Sequence, residues 1–111
     1  MIELTAKGKA LLSKYSALLD KALAPVHISR NLPRGPLDTM DTRVVANRNT
    51  GGARIQFVIV RYGLEPKQVR HALNGVLEVA SILAGPNYMT IVVRPLPEDR
   101  ATLDLEVLTT C

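Results

Sequence analysis

Few residues of this chain combine a reactive type with a spacing that could support a reaction. His27 and His71 are the two histidines, and neither has a Cys or a second His at ligand spacing. Ser13, Ser16, Ser29 and Ser81 lack a nucleophile-elbow context. Cys111 has no basic neighbour to lower its pKa, and one cysteine cannot close an internal disulfide. Glu98-Asp99 reads as part of a polar loop, and Asp104 with Glu106 as one face of a strand. Both pairs read as solvated carboxylates, because acid–base catalysis needs two environments that split the pKa values. Asn49-Thr50-Gly51-Gly52-Ala53-Arg54 has two glycines but no following Lys-Ser/Thr, and it leads into a strand rather than a helix, so it is not a phosphate loop. The expectation is a non-enzymatic protein with no catalytic residue, cofactor, metal or small-molecule substrate.

The arginines carry the remaining signal. Arg30, Arg34, Arg43, Arg48 and Arg54 cluster in one loop and one hairpin, and their planar forks suit phosphate or carboxylate. Such a hairpin could track a nucleic-acid backbone. Against this, single-strand binders use aromatic platforms, and the chain has one Phe and three Tyr. The charge is also divided. Residues 1–61 hold ten Lys and Arg against Glu3, Asp20, Asp38 and Asp41, a net of +6; residues 62–111 carry −2. The basic half fits an acidic partner, either nucleic acid or the acidic half of a neighbouring copy.

The elements that must position these residues follow from hydrophobic periodicity. At 111 residues, 47% hydrophobic and 22% charged, the chain reads as one domain with a real core. Residues 5–23 predict a helix capped by Thr5. Leu4, Leu11, Leu12, Tyr15, Leu18, Leu19, Ala22 and Leu23 fall on one face, and Lys7, Lys14 and Lys21 form a stripe beside it. That stripe is either a solvated flank or a contact for an acidic partner. Residues 24–41 hold Pro25, Pro33, Pro36 and Gly35, and read as an extended loop or arm. Residues 42–47 and 53–62 predict a hairpin around the turn at 48–52.

On its second strand Ile55, Phe57 and Ile59 face one way, and Arg54, Gln56, Val58 and Val60 the other. Residues 65–83 predict a second helix with Pro66 in its first turn and a core stripe of Val69, Leu73, Val76, Leu77, Ala80 and Leu83. Its opposite seam holds His71, Gly75, Glu78 and Ile82. Residues 88–94 and 102–109 predict a closing hairpin around a loop at 95–101. The expected fold is a single α+β domain, α-β-β-α-β-β, with a four-stranded antiparallel sheet and two packed helices. The outward residues Arg54, Val58, Val60, Gly75, Ile82 and Val92 are candidates for a subunit interface.

This order of elements resembles the tail terminator, or tail completion, proteins of long-tailed bacteriophages. The opening helix, the stretch 53–81 (ARIQFVIVRYGLEPKQVRHALNGVLEVAS) and the stretch 94–110 (RPLPEDRATLDLEVLTT) carry the likeness. The resemblance implies a structural virion protein at the tail or neck. Copies would form a homo-oligomeric ring joining the tail tube to the head connector, assembled in the host cytoplasm, with no membrane involved. Rings need interfaces between unlike patches, and the +6/−2 division could supply them.

Overall fold

A computed structural model describes residues 5–29, 39–46, 52–61 and 63–110. Seven elements follow in order: α1 Ala6–Ser29, β1 Thr39–Ala46, β2 Ala53–Val60, α2 Pro66–Leu73, β3 Val79–Ala84, β4 Tyr88–Val93 and α3 Pro97–Thr110. The strands form an antiparallel sheet in the order β1-β2-β4-β3. This is the expected α+β class with a four-stranded antiparallel sheet. The second hairpin and the last element lie elsewhere than the periodicity suggested.

The first half follows the pattern closely. The Thr5 hydroxyl accepts the Gly8 N–H at 3.3 Å, capping α1. Tyr15, Leu19 and Leu23 are buried, and Leu11, Leu12, Leu18 and Ala22 pack beside them. The helix does not stop at Leu23, however. It runs on through Pro25 to Ser29. Pro25 removes one helical hydrogen bond, but it is exposed, so water can serve the Lys21 carbonyl, and Val26 gains contact with the core. The expected arm at 24–41 therefore shrinks from both ends, because β1 begins at Thr39. Leu4, the rest of that arm and the turn at 47–51 lie outside the described residues.

β2 alternates as its pattern predicts. Ala53, Ile55, Phe57 and Ile59 are buried, while Arg54, Gln56, Val58 and Val60 are half-buried on the other face. Arg61 then secures the exit. Its Nε donates to the Leu64 carbonyl at 2.7 Å and its Nη1 to the Gly85 carbonyl at 2.8 Å. One side chain thus ties the β2–α2 turn to the β3–β4 turn. At the start of α2 the Glu65 N–H donates to Gln68 Oε1 at 2.8 Å, and Pro66 occupies the first turn, where no N–H is needed.

The predicted helix at 65–83 ends at Leu73. Asn74 and Gly75 stop it, with Gly75 at φ +81, a conformation glycine reaches without a Cβ penalty. Val79–Ala84 then forms a strand. It turns through Pro86-Asn87, with the Gly85 N–H donating to the Tyr88 carbonyl at 2.8 Å, and pairs with β4. The expected core stripe is broken accordingly: Val69, Leu73 and Leu77 are buried, Val76 and Ala80 are exposed, and Leu83 is 74% exposed.

The predicted last strand at 102–109 is helical. Its alternation suits a strand, but Pro97 at the first turn with Glu98 and Asp99 behind it suits a helix start equally well. Sheet membership had already been taken by β3. Helical geometry sends Leu103 into the core and leaves Leu105 64% exposed.

One core cluster unites the three helices and one sheet face. It joins Tyr15, Leu19 and Leu23 of α1, Val69 and Leu73 of α2, and Leu103 of α3 to Val44, Ile55, Phe57, Ile59, Met89, Ile91 and Val93. All three helices therefore lie on the same side of the sheet.

Candidate assembly surface

The other side of the sheet is open. No described element packs on it. Strand register places its residues in rows: Arg43 opposite Gln56, Gln56 opposite Val92, and Val92 opposite Ser81. The next row runs from Asp41 through Val58 and Thr90 to Leu83, and the last pairs Val60 with Tyr88. Arg54 lies opposite Val45, diagonal to Arg43 at a spacing of about 7–8 Å.

The face is graded. One end carries Arg43, Arg54 and Arg94. The other presents Val58, Val60, Thr90, Leu83 and Tyr88, with Tyr88 49% exposed. At the polar end Arg54 Nη1 donates to the Ala53 carbonyl at 3.0 Å, and Arg94 pairs with Glu78 across the β3–β4 edge. That ion pair is well exposed and adds little stability.

The structure brings together four of the six expected interface residues. Arg54, Val58, Val60 and Val92 share the open face. Ile82 does not join them. It sits opposite Ile91, on the helix-covered face, and packs against the core. Gly75 lies in the turn after α2 and not in a helical seam with Ile82. Of the arginine cluster, Arg43 and Arg54 lie on the open face, and Arg30, Arg34 and Arg48 lie outside the described residues. Leu83, Tyr88 and Arg94 complete the surface. The alternation at 88–94 already put Tyr88 and Arg94 on this side. Leu83 was hidden because a helical reading of 65–83 assigns it to the core.

A second polar cluster joins α1 to α3. The Tyr15 hydroxyl donates to Asp99 Oδ2 at 2.7 Å and accepts the Leu96 N–H at 2.8 Å. Lys14 Nζ donates to the same Oδ2 at 2.9 Å and lies 3.8 Å from Glu98. Asp99 is only 8% exposed. Burial works to raise its pKa, but the bonds from Tyr15 and Lys14 outweigh that and hold it below the ordinary value. Burial, reinforced by Asp99, pushes the Tyr15 phenol far up, so it stays protonated. The hydrogen bond to Asp99 raises Lys14.

A phenol held protonated, with donor and acceptor both engaged, is poorly placed as a base or nucleophile. The cluster is a clasp. Asp104 adds a second tie from α3, accepting the Ala53 N–H at 2.9 Å where β2 begins. Lys14 thus leaves the lysine stripe for an internal bond, while Lys7 and Lys21 are exposed. Part of the charge division is satisfied inside the chain, since Lys14 meets Asp99 and Glu98.

Among the described residues no group of three or more His, Cys, Asp or Glu side chains could hold a metal ion. No described helix is long and apolar enough to cross a membrane. No family model, curated protein or solved structure matches the chain.

Proposed function

We propose that this chain is a non-enzymatic structural subunit that assembles with copies of itself and with other proteins through the open face of its sheet. The observation that carries this reading is the face itself. Val58, Val60, Leu83 and Tyr88 converge on one end of it, and no described element covers them. An exposed apolar patch with arginines at the far end of the same face has the composition of an interface. The concrete form of the reading is the ring of a phage tail terminator or neck protein, joining tail tube to head connector. The opening helix and the run from β2 into α2 support that likeness. The stretch 94–110 supports it less, because it forms α3 where a closing strand would be needed.

Sedimentation velocity and negative-stain imaging of the full chain test the reading. Concentration-dependent assembly into closed rings is the expected result. Val58→Asp, which buries a charge in any such contact, should abolish it. A chain that remains monomeric at every accessible concentration refutes self-assembly.

The second reading, a small basic nucleic-acid-binding module, rests on Arg43, Arg54 and Arg94 at one end of the same face. It predicts DNA or RNA binding that weakens steeply with salt, with the slope falling by about one for each arginine replaced by alanine. A flat salt response rejects it.

A further inference from the structure

β3 is the outermost strand on its side of the sheet, and its residues Val79-Ala80-Ser81-Ile82-Leu83-Ala84 include no charge and no proline. Folded proteins usually guard such edges with charges, prolines, bulges or covering elements, because an edge offers unpaired N–H and C=O groups to any extended chain; β3 carries one such device, a register shift between Val79 and Ser81, which leaves Ser81–Ala84 as its regular run. The opposite edge, β1, carries Asp41 and Arg43. The ladder fixes which groups of β3 point outward. The Gly85 N–H bonds to the Tyr88 carbonyl, so by antiparallel alternation Leu83 and Ser81 bond to β4, and Ile82 and Ala84 turn their N–H and C=O away from the sheet.

We propose that this edge pairs with the same edge of a second copy, antiparallel about a two-fold axis at Ile82. Two four-stranded sheets then become one sheet of eight strands. The proposal rests on the self-assembly reading above: a two-fold contact joins like edges and closes at a pair of copies, and the open face would then join such pairs to one another.

Three features favour a second copy as the occupant. The regular run of the strand is self-complementary: Ile82 meets Ile82 and Leu83 meets Ser81, with no charge left unanswered and no like charges opposed. The two ends of the edge are a cleft and a turn. A cleft of about 440 Å³, lined by Arg70, Asn74, Gly75, Val76 and Glu78, opens at its start. The exposed turn Pro86-Asn87 lies just past its end. Antiparallel pairing carries each turn to the other copy's cleft. Finally, Leu83, the most exposed large apolar residue of the described chain, would lie diagonal to its own counterpart, joining the apolar ends of the two open faces.

The test uses the full chain with Cys111→Ser as background. Ser81→Cys with Leu83→Cys places two thiols directly across the proposed axis, within disulfide reach. Mild oxidation should yield a covalent dimer. Ala84→Pro removes an outward N–H, and Leu83→Lys sets like charges side by side without touching the core. Each should weaken association about tenfold or more while leaving the far-ultraviolet circular dichroism unchanged.

If the wild type assembles but both variants assemble equally well, or the cysteine pair fails to cross-link, edge pairing is overturned and self-assembly by another surface stands. If the wild type is strictly monomeric, both readings fall. A monomer that nonetheless binds an extended apolar peptide at β3 would assign the edge to a different protein and overturn the second-copy occupant.

Discussion

Replacing Tyr15 with phenylalanine deletes one oxygen and tests the clasp between α1 and α3. That oxygen donates to the buried Asp99 carboxylate at 2.7 Å and accepts the Leu96 N–H at 2.8 Å. A hydrogen bond to a charged group contributes about 1.5–3 kcal/mol, and a backbone donor left without its acceptor costs about 1 kcal/mol more at a half-buried site. The expected loss is about 2–4 kcal/mol, a large share of the roughly 5–15 kcal/mol available to a domain. In urea the midpoint should fall by about 1–2 M with the slope unchanged.

The acid limb gives an independent reading. The folded-state pKa of Asp99 is depressed below its ordinary 3.8. Its contribution is therefore present above that value and is lost as pH falls through the folded pKa. Phenylalanine at position 15 removes one of the bonds responsible, so the variant should lose less stability across that window than the wild type does. A loss under about 0.5 kcal/mol at neutral pH, with an unaltered acid limb, would refute the clasp.

Further substitutions separate the remaining claims. Leu103→Ala should cost about 2–5 kcal/mol and Leu105→Ala less than about 1 kcal/mol, since only the first is in the core; equal large losses in chemical denaturation would favour a strand at 102–109. Gly75→Ala should cost about 1–2 kcal/mol from the positive φ alone, because its Cβ would meet nothing within 4 Å, and Gly75→Asn should cost less; a neutral alanine in urea titration would reject the left-handed turn after α2. Pro25→Ala restores a helical donor and should raise the thermal midpoint, by an amount equivalent to about 1–3 kcal/mol, whereas a lowered midpoint would argue that α1 ends before Pro25.

The legible parts of the fold were those where one periodicity had no competitor. The face from Leu11 to Leu23 fits only a helix, and the alternation from Ala53 to Val60 fits only a strand that is half-covered on its second side. The open face was therefore readable in Val58, Val60 and Val92. The stretch after Leu73 was ambiguous. Val76, Leu77, Ala80 and Leu83 continue a helical stripe, and the interruption rests on two local signals, Asn74-Gly75 and Gly85-Pro86-Asn87. A Gly at left-handed φ ends a helix however well the apolar spacing continues beyond it.

The stretch 102–109 was ambiguous in the same way: Leu103, Leu105 and Val107 alternate as in a strand, while Pro97 with Glu98 and Asp99 marks the start of a helix that runs to Thr110. The buried Tyr15–Asp99 pair was hidden for a different reason. It is separated by 84 positions in the chain, and nothing local marks a carboxylate near a helix start as the acceptor of a distant phenol.

The Tyr15–Asp99 bond also sets a schedule. A ribosome adds about 5–20 residues per second, so roughly 4–17 s pass between the synthesis of Tyr15 and that of Asp99. Helices and hairpins form in microseconds. For all of that interval α1 can be helical, yet its Leu11–Leu23 face lacks Leu103, and its phenol lacks Asp99 and the Leu96 N–H. Final closure of the core is therefore a late event in the life of the nascent chain. An unfinished chain, stalled or cleaved before α3, would display both the apolar face of α1 and the bare β3 edge, and would be the form of this protein most prone to aggregate.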